Sequence, residues 1–157
     1  MFVDRRALEG MPMKLLITSV LISITLPSVL GALQGYERAA RIEELKVQVQ
    51  RIRSAALSAF LGGPGNIRTV PVDLAVGSSG GGAAIELGGS PDSVESTAIR
   101  YYWYGTELGS IFLLDPRVPI VPWTGGNVRI DAAHSQITLE CMQVEDDTYI
   151  AMEMSSC

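Results

Sequence analysis

Residues 15–36 form an uninterrupted run of 22 residues without a charged side chain, between Lys14 and Glu37. At a rise of about 1.5 Å per residue, a helix of this length spans roughly 30 Å, the thickness of the hydrocarbon core of a bilayer. A buried helix of a soluble protein is the alternative, but such helices seldom run this long without a charge. Arg5, Arg6 and Lys14 precede the run, which predicts a cytoplasmic N-terminus and an extracytoplasmic remainder.

Three fates are open to such a segment: removal as an ordinary secretory signal, retention as a permanent anchor, or retention after cleavage of a short leader. An ordinary signal needs small residues at positions −3 and −1 of the cleavage site. Val29-Leu30-Gly31 places a branched residue at −3, and the run is long for a signal core. The third fate fits the sequence best.

The residues before the run carry the signal for that third fate. A short polar leader containing two arginines ends in Glu9-Gly10, immediately before the hydrophobic helix. This arrangement resembles the class III signal peptide of type IV pilins. The stretch from Gly10 to Ser19, together with Gly35-Tyr36-Glu37-Arg38, resembles archaeal type IV pilin-like proteins in particular. The resemblance covers about the first 60 residues of the chain.

The resemblance implies a specific processing step and a specific set of partners. A prepilin peptidase would cut after Gly10, so that residues 1–10 are the leader and Met11 begins the mature chain. The retained helix would lie in membrane lipid before assembly and would then pack with identical or related pilin subunits. Two residues depart from the family pattern. Leu15 stands at the fifth mature position, where bacterial pilins carry Glu, and Pro12 is unusual at the second, although a helix tolerates proline in its first turn.

The apolar run also contains small and hydroxyl-bearing residues, which allow helices to approach closely in a membrane. Gly31 and Gly35 form a Gly-x-x-x-Gly pair, and five Ser or Thr residues lie before them. Pro27 removes one backbone donor and clashes with the carbonyl of Ser23, so we expect a kink or local melting there. These features favour assembly through the helix, although single-pass anchors tolerate the same residues.

Beyond Tyr36 the helical pattern continues but becomes one-sided. Apolar residues recur at spacings of three and four, at Ile42, Leu45, Val49, Ile52, Ala56 and Ala59. Gly62-Gly63-Pro64-Gly65 then ends the helix. The sequence predicts a transmembrane and assembly half at 11–36 and an amphipathic half at 37–61 that packs against a domain. A coiled-coil dimer is less favoured, because the stripe lasts for fewer than about three heptads.

Residues 66–157 have the pattern of short β-strands separated by turns. The predicted strands are 69–76, 83–87, 96–104, 107–114, 118–121, 128–130, 136–141 and 149–154. Strands that recur about every ten residues, without a second helical pattern, predict a small antiparallel sheet or sandwich. The expected fold class is therefore α+β, with a long N-terminal helix followed by a β-rich extracytoplasmic head.

Charge is divided unevenly between these two parts. Residues 1–60 carry 8 Lys or Arg and 5 Asp or Glu, a net charge of +3, whereas residues 61–157 carry 4 and 12, a net charge of −8. An acidic head lacks the basic surface that phosphates require, which argues against a nucleic-acid partner.

Two cysteines, Cys141 and Cys157, lie in the predicted external part. A disulfide between them would close a 17-residue loop and would stabilise the fold by roughly 3 kcal/mol in the chain-entropy model. An extracytoplasmic location favours the bond. A reduced pair is the alternative, since two cysteines do not define a disulfide framework.

Four consecutive aromatic residues, Tyr101, Tyr102, Trp103 and Tyr104, lie on a predicted strand. Because side chains alternate along a strand, two should face the core and two should face outward. The outward pair is the best candidate for a binding or subunit-contact surface, with ordinary sheet packing as the alternative.

Catalytic and metal-binding signals are weak in this sequence. His134 is the only histidine, and its neighbours Asp131 and Ser135 do not make a triad, whose members converge through the fold. Glu145-Asp146-Asp147 lacks the spaced ligands of a calcium loop. We find no phosphate-loop, dinucleotide or metallohydrolase motif in the sequence, and we predict neither enzymatic activity nor a cofactor or metal site.

The sequence therefore predicts a type IV pilin-like structural subunit of an extracellular filament or a related membrane assembly machine. The alternative is a membrane-anchored binding or adhesion module that does not polymerise. A secreted enzyme is the least favoured hypothesis, because no catalytic constellation supports it.

Overall fold

The computed structural model describes residues 5–75 and 82–156 of the chain, with side chains described for 13–75 and 82–155. The predicted α+β class is confirmed. A long helix, α1, precedes eight strands and one short 3₁₀ helix at Val94–Thr97. The elements in order are α1 (Arg5–Leu61), β1 (Ile67–Asp73), β2 (Ala83–Leu87), β3 (Ala98–Trp103), β4 (Thr106–Phe112), β5 (Ile120–Pro122), β6 (Val128–Ile130), β7 (His134–Val144) and β8 (Asp147–Ser156).

The chain divides into two compact units, residues 1–40 and 41–157. The boundary lies inside α1, at the point where the uniformly apolar sequence has given way to the one-sided pattern. The second unit therefore contains the last third of the helix together with all eight strands. The amphipathic part of α1 belongs to the same folded body as the β-structure.

The helix ends where the glycines predict. The Gly62 amide donates to the carbonyl of Ser58 at 3.1 Å, and Gly63 has a φ of +81°, a conformation that glycine adopts without steric cost. Two further bonds attach the following turn to the sheet: Gly65 N–H donates to the Cys141 carbonyl at 2.8 Å, and Cys141 N–H donates to the Asn66 carbonyl at 2.9 Å. The turn is therefore fixed at both its helical end and its strand end.

The strands form two four-stranded sheets. The first sheet has the order β1-β7-β8-β5 and the second has the order β4-β3-β2-β6. The neighbours are antiparallel, as predicted, except that β5 pairs with β8 in parallel. The alternation of apolar and polar residues in a short strand does not indicate whether its partner runs parallel or antiparallel. This parallel pair could therefore not be predicted from the sequence.

One apolar core joins the helix and both sheets. Alternate residues of β1 and β7 point inward, with burial patterns that follow the period of two. The largest fully buried side chains include Ile52 of α1, Ile85 and Ile99 of the second sheet, and Ile137 and Leu139 of the first. Because α1 supplies part of this core, the strands of residues 66–156 do not bury their inner faces by themselves.

Candidate functional site

The apolar half of α1 is the most unusual surface of the described chain. Thirteen large apolar side chains between Met13 and Tyr36 are exposed, and Leu15, for instance, retains 69% of its accessible surface. The helix is long and apolar enough to cross a membrane, and its most apolar stretch has a mean hydropathy of 2.0. A contiguous apolar surface of this extent indicates a binding or membrane-contact region. We therefore identify this segment as a candidate membrane span, on length and composition.

The hydroxyl groups of this segment find partners within their own helix. Thr18 donates to the carbonyl of Lys14 at 2.9 Å, and Ser23 donates to that of Ser19 at 2.8 Å. Ser19, Thr25 and Ser28 make equivalent bonds to carbonyls three or four residues earlier. Such bonds satisfy a hydroxyl in an apolar environment without a second helix.

Helical structure continues through Pro27, since α1 runs without a break from Arg5 to Leu61. Of the kink or local melting expected at this proline, local melting does not occur, and a kink stays a prediction. Pro27 still cannot donate to the carbonyl of Ser23. In a helix of 57 residues the remaining bonds hold the turn in place.

Gly31 and Gly35 leave an open strip on the helix. A Cβ atom placed on either glycine would meet nothing within 4 Å. Larger side chains therefore fit at both positions in the isolated chain. This makes the two glycines suitable positions for testing contacts with another molecule.

The amphipathic stripe of α1 is occupied by the chain's own β-structure. Leu45, Val49, Ile52, Ala56 and Ala59 are buried and belong to the shared core, whereas Ile42 is half-buried at the edge of the stripe. A coiled-coil seam would need these same side chains at its interface. The alternative of a coiled-coil dimer through this stripe therefore conflicts with the fold.

The aromatic block alternates as a strand requires. Tyr101 and Trp103 pack against the core, and Tyr102 faces outward on β3. The guanidinium of Arg129 on β6 lies 5.1 Å from the centre of the Tyr102 ring, a cation–π distance. Tyr104 is exposed in the β3–β4 turn at a φ of +49°, and its ring meets Trp103 edge-on with 5.3 Å between centres.

The environment of Tyr102 is polar as well as aromatic. Partial burial, together with the nearby carboxylates of Glu86 and Glu107, raises the pKa of Tyr102. The contact between Arg129 and Tyr102 was not predicted from the sequence. It depends on β6 lying beside β2, and no local sequence pattern indicates that pairing. The outward pair is thus Tyr102 and Tyr104, and its role as a contact surface stays a prediction.

The predicted disulfide joins a described residue, Cys141, to a residue outside the described part of the chain. Cys141 on β7 is fully buried, and Cys157 lies outside the described residues, so the disulfide stays a prediction.

The remaining polar candidates do not converge on a reactive centre. His134 is exposed, with its Nδ1 2.8 Å from Asp73 Oδ1, whereas Ser135 is buried on the opposite face of the strand. Glu145 and Asp146 form the tight β7–β8 turn, in which Glu145 has a φ of +56°. Within 5–75 and 82–156, no group of three or more His, Cys, Asp or Glu side chains is placed to hold a metal ion.

Comparison with known proteins assigns no family to the chain. No family model, curated protein or solved structure matches it.

Proposed function

We propose that this chain is a type IV pilin-like structural subunit of an extracellular filament or of a related membrane assembly machine. Its N-terminal helix would be held in the membrane before assembly and would pack with helices of identical or related subunits afterwards. The β-structure would form an extracytoplasmic head. One observation carries the proposal: a single helix has an apolar half whose described side chains are all exposed and an amphipathic half that is built into the head.

The energetic cost of leaving the apolar half in water supports this proposal. Complete burial of a large aliphatic side chain is worth about 1.5–3 kcal/mol. Thirteen such side chains between Met13 and Tyr36 are about half exposed or more. Covering them with lipid or with neighbouring helices therefore gains on the order of 10–20 kcal/mol. That gain is enough to drive membrane insertion. Later packing of the helices within the membrane would depend on close contact at small residues such as Gly31 and Gly35.

The leader supports a pilin-type route rather than a plain anchor. Glu9-Gly10 stands immediately before the apolar segment, and two arginines precede it. A prepilin peptidase that cuts after Gly10 would remove the charged leader and leave the whole apolar segment in the mature chain. An ordinary signal peptidase would instead remove most of that segment.

The N-terminus of the membrane-derived protein tests this function. We expect mass spectrometry of the chain, expressed with a prepilin peptidase, to find a mature N-terminus at Met11. Gly10→Leu should abolish this product, whereas the matched leader variant Leu8→Ala should leave it unchanged. An intact Met1, or a start near Ala32, would contradict the proposal.

A second candidate is a membrane-anchored binding or adhesion module that does not polymerise. The hydroxyl bonds within α1 favour it, because Thr18 and Ser23 are satisfied without a partner helix. This candidate uses the same anchor but needs no close approach at Gly31 and Gly35. The two functions therefore differ in whether self-association depends on those glycines.

A further inference from the structure

A groove lies between the amphipathic part of α1 and the free edge of β1. Its helix wall is formed by Glu43, Lys46, Val47, Gln50, Arg51 and Ser54, and its strand wall by Thr69, Val70 and Pro71. β1 is the outermost strand of its sheet and pairs with β7 on one side only. Within residues 5–75 and 82–156, no strand pairs with the groove-side edge of β1.

The groove combines an apolar floor with an excess of positive charge. Val47, exposed over 47% of its surface, lines the groove together with the strand residues Val70 and Pro71. Lys46 is already paired with Glu43 at 3.1 Å, whereas Arg51 has no carboxylate within 4 Å among the described side chains. The occupant that fits should offer one small apolar side chain beside several carboxylates.

Pro71 restricts how an occupant can bind. Proline has no backbone donor, so an extended chain added along β1 would lack a hydrogen bond in the middle of the strand. Continuous strand addition is therefore disfavoured. The groove is better suited to side chains that enter from the tip of a hairpin.

The chain itself carries a hairpin tip of the required chemistry. The last three β7–β8 pairs are Met142 with Tyr149, Gln143 with Thr148, and Val144 with Asp147. They extend past the end of β1, whose ladder stops where Ile67 meets Glu140. We call residues 142–149 the ribbon. Its tip exposes Val144 over 51% of its surface, next to the exposed carboxylates of Glu145, Asp146 and Asp147.

The ribbon cannot reach the groove of its own molecule. Thr69 in the groove is opposite Thr138 on β7. Val144 lies six residues farther along the same strand, which is about 20 Å away at about 3.3 Å per residue. A contact between tip and groove must therefore join two molecules.

We propose that the groove receives the ribbon tip of a second copy of this chain. Val144 packs against Val47 and Pro71, and the carboxylates of the tip face Arg51 and Lys46. Different surfaces of the two copies meet, so the contact is heterologous, and contacts of this kind extend into open assemblies when the rotation does not close. This inference rests on the proposed function, because it assumes that copies of the chain are brought together.

Cysteine cross-linking of the full chain in membranes tests the docking. One tagged copy carries Val144→Cys, and a second copy with a different tag carries Ser54→Cys. Both copies also carry Cys157→Ser, which removes background cross-links through that cysteine. Thr124→Cys replaces Ser54→Cys as the matched control, because Thr124 is exposed beyond β5 at the other edge of the sheet. We expect a cross-linking yield at least about fivefold above that control.

Charge reversal then tests the complementarity. Arg51→Glu or Asp146→Arg alone should lower the cross-linking yield by about three- to tenfold, and the two together should restore most of it. Glu153→Arg, which changes the net charge equally at an exposed position of β8, should have little effect. Equal yields for the groove and control cysteines, or no restoration in the double variant, would overturn the docking.

The same preparation separates this inference from the proposed function. A chain that begins at Met11 and self-associates, but shows no charge-dependent cross-link, overturns the ribbon contact alone. A chain that is neither cleaved nor associated overturns both.

Discussion

The burial of the amphipathic stripe of α1 can be tested with two valines that lie two residues apart. Val49 is 0% exposed in the shared core, whereas Val47 is 47% exposed at the wall of the groove. Replacing each by alanine removes the same two methyl groups from the same helix. The gain in helix propensity, about 0.5 kcal/mol, is common to both variants and cancels when they are compared.

The expected difference follows from the burial of the two side chains. Loss of two buried methyl groups costs about 1.6 kcal/mol in transfer free energy at Val49, and the cavity left behind adds up to about 1 kcal/mol. At Val47 only about half of the transfer cost applies and no enclosed cavity forms. Val49→Ala should therefore destabilise the second compact unit by about 2 kcal/mol after the propensity gain, and Val47→Ala by less than about 0.5 kcal/mol.

Urea unfolding of the full chain in a mild detergent gives the measurement. Trp103 packs against the core and reports unfolding through its fluorescence, and Trp123→Phe removes the signal of the exposed second tryptophan. We expect the urea midpoint to fall clearly for Val49→Ala and to remain close to that of the parent for Val47→Ala. Equal shifts, or a larger shift for Val47→Ala, would refute the conclusion that this part of α1 belongs to the core of the second compact unit.

Two further measurements follow from the structure. Gly31→Leu with Gly35→Leu should weaken self-association in membranes by about tenfold or more if helices pack at the glycines. Leu33→Phe, on the opposite face of the helix, should not. Indifference to all three substitutions favours the non-polymerising anchor. Cys141 should resist alkylation in the folded chain, because the side chain is fully buried and burial raises the pKa of its thiol. The stability contributed by this pKa shift is complete below the ordinary thiol pKa and is lost as pH rises through the folded-state pKa. Cys141→Ala should therefore reduce the fall in the free energy of unfolding at alkaline pH. Rapid labelling of Cys141 in the native chain would contradict its burial.

Local features were predictable because their signals lie close together in the chain. The stop at Gly62-Gly63, the inward stripe containing Leu45 and Ile52, and the alternation of Tyr101 and Tyr102 each depend on periodicity or on a backbone preference of single residues. The long helix was predicted as well, and α1 remains helical through Pro27. Strand bounds were less accurate, and the β7–β8 hairpin is longer than the predicted strands 136–141 and 149–154.

Features that join distant parts of the chain needed the tertiary structure. The parallel β5–β8 pair, the Arg129 contact with Tyr102 and the groove beside β1 all depend on which strands become neighbours.

The sequence by itself determined that the chain carries an apolar segment of membrane length, a helix that turns one-sided after it, and an acidic β-rich remainder. Hydropathy, periodicity and charge are properties of neighbouring residues, so a linear reading is sufficient for them. Only the tertiary structure decided what the one-sided stripe packs against, which face of each strand is buried, and where a groove and a projecting ribbon lie. Those features arise from strand order and register, and contacts between residues far apart in the chain determine both.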